Sequence, residues 1–172
     1  MKKILVTISV LIISVSLFAQ EKYSILAKIG SGISMNSPEI TPFTLEGVAY
    51  YNLTSHWAFG GGAGFGLYDD ISVVPLCLNI KYIMNPKAKY NLFASCSAGY
   101  GFALGDGKKG GSLLNPEFGV QHKLWDQTFL VAIGYRLQKL ERLKSNSNDY
   151  MLSQFTEELN LNSVSIKLGV IF

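Results

Sequence analysis

The chain has 172 residues, 48% apolar and 12% aromatic, with only 16% charged and 17 glycines. Soluble domains carry about 25% charged residues, so this one is short of solvating groups, and its apolar content excludes a disordered tail. The length suggests one domain, and the formal net charge is +3, most of it from Lys2 and Lys3; the near-neutral remainder excludes a broad basic face for nucleic acid.

The first element in chain order is a leader. Lys2 and Lys3 form a positive start, Ile4 to Phe18 is an uncharged apolar run, and Ala19 is a small residue at a cleavage point before Gln20. This is the pattern of a secretory signal peptide, expected over residues 1–19, with the working domain over 20–172. The run is shorter than the roughly 20 residues a membrane-spanning helix needs. Without Lys2 and Lys3 the 15 basic residues fall to 13, against 12 acidic. No later apolar run is long enough for a spanning helix, so a membrane form of this chain must be a closed β-barrel.

After Gln20 the period-two alternation of a strand recurs eight times. Strands are expected at Tyr23 to Ile33, Phe43 to Tyr51, Trp57 to Leu67, Val74 to Tyr82, Tyr90 to Phe102, Leu114 to Leu124 and Phe129 to Leu137. An eighth ends the chain, with Val164, Ile166, Leu168, Val170 and Phe172 on one side. Asn52 to His56, Met84 to Lys89 and Trp125 to Asp126 read as compact turns. Met35 to Pro42, Tyr68 to Val73, Ala103 to Ser112 and Gln138 to Asn162 read as longer loops. Short turns at one end and longer loops at the other describe an outer-membrane barrel.

A lipocalin-like soluble barrel also alternates, with the polarity reversed. Three features choose between them. The strand charges Lys28, Glu46, Lys81, Glu117, Lys123, Arg136 and Lys167 all fall opposite the apolar face; they are too sparse for a water-facing exterior and suit an interior where acids and bases pair. Glycines share that charged face, above all Gly60, Gly62, Gly64 and Gly66. An eight-stranded interior is only wide enough for its own side chains, so glycines there make room for residues such as Phe93 and Tyr50. If Tyr50 lies across from Gly60, its ring covers a bare backbone. Finally, the apolar face carries Tyr23, Tyr51, Trp57, Tyr82, Tyr90, Phe129 and Phe172 at the short-turn end, with Trp125 in a turn there. Tyr and Trp favour the membrane–water boundary. Phe43, Phe65, Tyr100, Phe102 and Tyr135 form a candidate second belt.

The segments Val74-Pro75-Leu76-Cys77-Leu78-Asn79-Ile80-Lys81-Tyr82, Ser97-Ala98-Gly99-Tyr100-Gly101-Phe102 and Ile133-Gly134-Tyr135-Arg136 resemble the small outer-membrane β-barrels of Gram-negative bacteria, OmpX-like and OmpA-like among them. The ending Lys167-Leu168-Gly169-Val170-Ile171-Phe172 is similar to that family's last strand. The resemblance implies that Val170 and Phe172 act as the signal read by the barrel assembly machinery. It also implies an outer-membrane location with both termini periplasmic, and contact with outer-membrane lipids and lipopolysaccharide.

Other candidates carry little chemistry. Cys77 and Cys96 fall on opposite faces, so they are expected to stay free thiols. His56 and His122 both fall at the short-turn end, away from the outer leaflet where the family's enzymes act. Gly105-Asp106-Gly107-Lys108-Lys109-Gly110-Gly111 lacks the order of a phosphate-binding loop, and no helix follows it. Asp69, Asp70 and Asp106 do not specify a calcium site. In the last loop Met151, Leu152, Phe155 and Leu159 have helical spacing, yet Ser145 to Asp149 makes a natural hairpin tip; a protruding hairpin over 138–162 is expected, with an edge that offers itself to a surface partner.

The expectation is an all-β fold: a closed eight-stranded antiparallel up-and-down transmembrane barrel. It is read as non-enzymatic, with no cofactor or metal and a structural or surface-interaction role. A narrow channel for small anionic solutes is the alternative; a soluble binder of hydrophobic ligands and an envelope-lipid enzyme are less favoured. Five interior bases, Lys28, Lys81, Lys123, Arg136 and Lys167, face the two acids Glu46 and Glu117, which favours a wet interior because a dry excess charge is costly.

Overall fold

The computed structural model describes residues 22–35, 41–68, 71–105, 108–125, 127–148 and 151–172, with the backbone alone for 108, 141–148 and 151–159. The expected leader, Asp69, Asp70, Asp106 and Asp149 lie outside the described residues.

Eight long strands follow one another: β1 (Tyr23–Ser34), β2 (Phe43–Asn52), β3 (Trp57–Tyr68), β4 (Ile71–Ile83), β5 (Tyr90–Leu104), β6 (Gly111–Leu124), β7 (Gln127–Asn148) and β8 (Met151–Ile171). Each pairs antiparallel with its sequence neighbours. The sheet closes where β8 returns to β1, from Leu26↔Ile171 to Ser34↔Ser163. Phe172 completes the seam: its N–H donates to the Ile25 carbonyl at 2.9 Å, and the Ile25 N–H donates to the Phe172 carbonyl at 3.1 Å. Closure leaves no strand edge around the wall.

Local chemistry makes the short turns. The Thr54 hydroxyl accepts the backbone N–H groups of His56 (3.2 Å) and Trp57 (3.0 Å), the local hydrogen bonding that suits threonine to turns. Trp125 follows the Leu124↔Gln127 pair with a positive φ of 56°, as a two-residue hairpin turn demands. A bulky residue seldom adopts that conformation.

The strands run further than the apolar alternation does. The loop expected over Tyr68 to Val73 shrinks to residues 69 and 70, and β6 begins at Gly111 instead of Leu114. The long polar segment 138–162 is a continuous ladder, registered from Gln138↔Leu161 out to Asn148↔Met151. The helical spacing there is overridden, and the hairpin expectation describes the backbone. A two-residue strand, Lys108–Lys109, pairs with Arg142 and Glu141 of β7. The physical reason is shared: ladder hydrogen bonds need only backbone, so side-chain alternation ends with the apolar band and not with the strand. Pro75 and Pro116 lack the N–H a ladder uses. The β3–β4 pairing skips from Ala63↔Leu76 to Gly66↔Val73, and β6–β7 from Leu114↔Leu137 to Glu117↔Gly134, each resuming in register.

Apolar side chains face outward. Ile29, Leu45, Phe59, Leu78, Phe118, Val131, Ile133, Ile166 and Leu168 are all exposed, while Lys28, Glu46, Lys81, Glu117, Arg136 and Lys167 are buried. Among the described residues the packed material is the barrel's own interior.

Candidate functional site

The interior is built by pairing large residues with glycines. Across the β2–β3 ladder Tyr50, Val48, Glu46 and Thr44 stand opposite Gly60, Gly62, Gly64 and Gly66 in turn. A Cβ at Gly60 would lie 2.9 Å from Tyr50 Cδ1. Elsewhere Phe93 faces Gly119, Glu117 faces Gly134, Lys28 faces Gly169 and Lys167 faces Gly30. Adding a Cβ at Gly30 would bring it 2.7 Å from Lys167 Cγ. An eight-stranded interior admits one large side chain per ladder rung, and the glycines concede the space.

Three layers result. At the short-turn end Leu26, Val48, Tyr50, Ala58, Phe93, Leu130 and Ala132 form one apolar cluster, with Ile83 and Ile171 against it. At the opposite end Tyr68, Ile71, Val73, Leu140 and Leu161 form a second, with Ala103. Between them lie the charges. Glu117 accepts from Lys28 at 2.7 Å, Lys167 at 2.6 Å and Asn115 at 2.7 Å, all through Oε1, and from Ser95 at 3.3 Å through Oε2. Glu46 meets Lys28 at 3.0 Å, Lys167 at 3.2 Å, and the Arg136 guanidinium. The other end of that guanidinium donates to the Tyr68 hydroxyl at 3.2 Å, tying the charged layer to the second apolar cluster.

Lys81 stands apart. Its ammonium donates to Gln121 at 2.6 Å and lies 4.7 Å from the Phe93 ring centroid and 5.9 Å from that of Tyr50. Aromatic faces attract a cation when water is excluded, so rings take the place of a carboxylate. Lys123 shares the inward parity but is exposed at the end of β6; the strand reaches the rim before that position is enclosed. Lys28, Arg136 and Lys167 therefore share Glu46 and Glu117, and Lys81 is a fourth buried base beside them. The void bordered by Glu46, Asn79, Ser97 and Asn115 measures about 10 Å³, room for about one water. Bringing these groups together costs several kcal/mol of desolvation per ion, which only close, multiply hydrogen-bonded partners offset.

The outward aromatics form two bands. At the short-turn end Tyr23 packs on Tyr51 with centroids 5.3 Å apart, and Trp57 on Tyr82 at 4.7 Å. Tyr90 stacks on His122 at 4.4 Å, and Phe129, Phe172 and Trp125 are exposed nearby, Trp125 at 85%. Val170, half-buried, pairs with Phe129 and Ala27. Phe43, Phe65, Tyr100, Phe102 and Tyr135 are exposed toward the other end.

Both histidines serve turns: Nδ1 of His56 bonds the Ile83 carbonyl at 2.9 Å, and that of His122 the Lys89 carbonyl at 2.8 Å. Cys77 and Cys96 are free, on inward and outward positions respectively. Among the described residues no cluster of three His, Cys, Asp or Glu could hold a metal ion. The aromatic cage around Lys81 was missed by sequence reasoning; Phe93 and Tyr50 were legible as interior rings, but only the ladder registers place them beside one lysine.

No protein-family model matches the chain, and no curated protein matches it. Solved structures do. The crystal structure of Neisserial surface protein A aligns with a TM-score of 0.62 at 14% identity, covering 87% of this chain and 96% of that one. The outer membrane protein OprG from Pseudomonas aeruginosa aligns at 0.66 and 9% identity, covering 87% and 94%. AlkL, an outer membrane protein solved in lipid bilayers, aligns at 0.59 and 11% identity, covering 88% and 89%. At such identities the likeness is one of fold: the chain has the closed eight-stranded barrel of small outer-membrane proteins.

Proposed function

We propose that this barrel is an integral outer-membrane protein without enzymatic activity, exported behind a cleaved leader, with a structural or surface-interaction role. The observation that carries this reading is the inside-out distribution of polarity: an exposed apolar wall between two aromatic bands, around an interior of buried ions. Water cannot solvate such a wall, whereas a bilayer can. Aromatic residues at the short-turn end support placing that end, with both termini, at the periplasmic boundary. The long β7–β8 hairpin then stands outside the cell, where it can meet a surface partner. Contact with outer-membrane lipids and lipopolysaccharide, and delivery by the barrel assembly machinery through Val170 and Phe172, belong to the same reading.

The enzymatic alternative finds no support in the histidines, since each is bonded to a backbone carbonyl in or beside a turn. A channel is disfavoured by the apolar clusters at both ends of the interior. Fractionated membranes run on a detergent gel with and without boiling test the main reading. A band in the outer-membrane fraction that shifts on boiling is expected; a soluble protein with no shift would reverse the assignment of faces and turn the search to hydrophobic ligands.

A further inference from the structure

The outward surface changes character at one level on the long-loop side. Below it on β7 lies the exposed ring of Tyr135; at it Lys139 and its partner Asn160 are exposed, as is Ser112, which pairs with the exposed Tyr100. A cation facing outward costs about 2–4 kcal/mol at the bilayer midplane and about 0–1 near its surface, so Lys139 marks where headgroups begin. At this level a pocket of about 250 Å³ opens, bordered by Tyr100, Gly110, Gly111, Ser112, Lys139 and Asn160.

The pocket arises from the way the sheet frays. The β6–β7 ladder runs no further than Leu113↔Gln138, while Lys108–Lys109 pairs higher, with Arg142 and Glu141. Gly110 and Gly111 span the gap. A Cβ on Gly110 would come within 2.7 Å of Tyr100 Cε1, and one on Gly111 within 2.7 Å of the Lys139 carbonyl carbon, so no side chain fits at either position.

We propose that this pocket binds the phosphate of an outer-leaflet lipid headgroup. Its border offers one ammonium, from Lys139, and donors from the Ser112 and Tyr100 hydroxyls, with no carboxylate among the described border residues. Phosphate supplies acceptors for such a set, and charge-assisted hydrogen bonds are the strong ones. Tyr135, below Lys139 on the same strand, offers apolar surface to the acyl chains that a headgroup at this depth carries, and the Tyr100 ring does so from the border itself. The inference rests on the outer-membrane reading above, since depth in a bilayer identifies the source of the phosphate.

The test is native mass spectrometry of the full barrel in detergent, titrated with a bis-phosphorylated glycolipid, its dephosphorylated counterpart and sodium phosphate. Variants Lys139→Glu and Ser112→Val are compared with Lys87→Glu, a charge-matched change in an exposed turn at the far end, each first shown to shift on boiling. A charge-assisted hydrogen bond is worth about 1.5–3 kcal/mol, so Lys139→Glu should weaken the phosphorylated lipid by about tenfold or more and Lys87→Glu should not. Equal binding of the dephosphorylated lipid, or an unchanged Lys139→Glu, would overturn the proposal. Displacement by sodium phosphate at matched concentration would overturn the lipid source. Fractionation reports separately on the outer-membrane reading, because it does not depend on the pocket.

Discussion

At the scale of single residues, Glu117 and Glu46 hold the interior together. Glu117 is the shared acceptor for Lys28, Lys167 and Asn115, so its loss leaves two buried ammonium groups to Glu46 alone. Glu117→Ala is expected to cost about 3–5 kcal/mol, the usual penalty for breaking a buried ion cluster from one side, read as a lower urea midpoint for loss of the fast-migrating gel band. Glycines make a sharper comparison. Gly60 and Gly61 are neighbours in β3, but a Cβ at Gly60 meets the Tyr50 ring while one at Gly61 meets nothing within 4 Å. Gly60→Val should therefore destabilise by about 1–3 kcal/mol, the range for overpacking, whereas Gly61→Val should leave the midpoint unchanged or raise it. Equal effects would refute the pairing of ring with glycine. The faces of both positions could be read from alternation alone. That Tyr50 stands across from Gly60 was a conditional expectation, which the β2–β3 register meets. The exposure of Lys123 could not be read, because parity gives a side and not a depth.

At the scale of elements, the β7–β8 hairpin differs most from its sequence appearance. Leu140 and Leu161 are its last described buried contacts with the barrel, inside the apolar cluster at that end. Beyond the Leu140↔Leu159 pair the ladder continues for the full length of both strands. Replacing residues 141–158 by Asn-Gly, which suits a two-residue hairpin turn, should leave the boiling-induced shift intact and abolish any binding to a surface partner. Loss of the folded band would show that the hairpin is required to close the barrel. A composition rich in Ser and Asn looks like a loop because such residues compete locally for backbone groups. Here cross-strand pairing wins over most of the segment, since each added rung satisfies N–H and C=O groups without asking anything of the side chains.

At the scale of the molecule, an ion layer lies between two apolar caps. Tyr68 leads one cap and Phe93 the other, both fully enclosed, so opening one end leaves the other shut. Planar-bilayer recordings should show no conductance steps for the native barrel or for Tyr68→Ala, and reproducible steps only when Tyr68→Ala and Phe93→Ala are combined. Steps from the native protein would restore the channel reading. The sequence by itself determined the eight strands, the side each residue faces, the aromatic bands and the separation of the two thiols, because a period of two transmits burial directly into spacing. Only the tertiary structure decided where strands end, which large residue meets which glycine, that Lys81 is held by Phe93 and Tyr50, and that the interior is capped at both ends. Those features depend on the register between strands and on closure of β8 onto β1. Register is a relation between distant segments; no single stretch of sequence contains it.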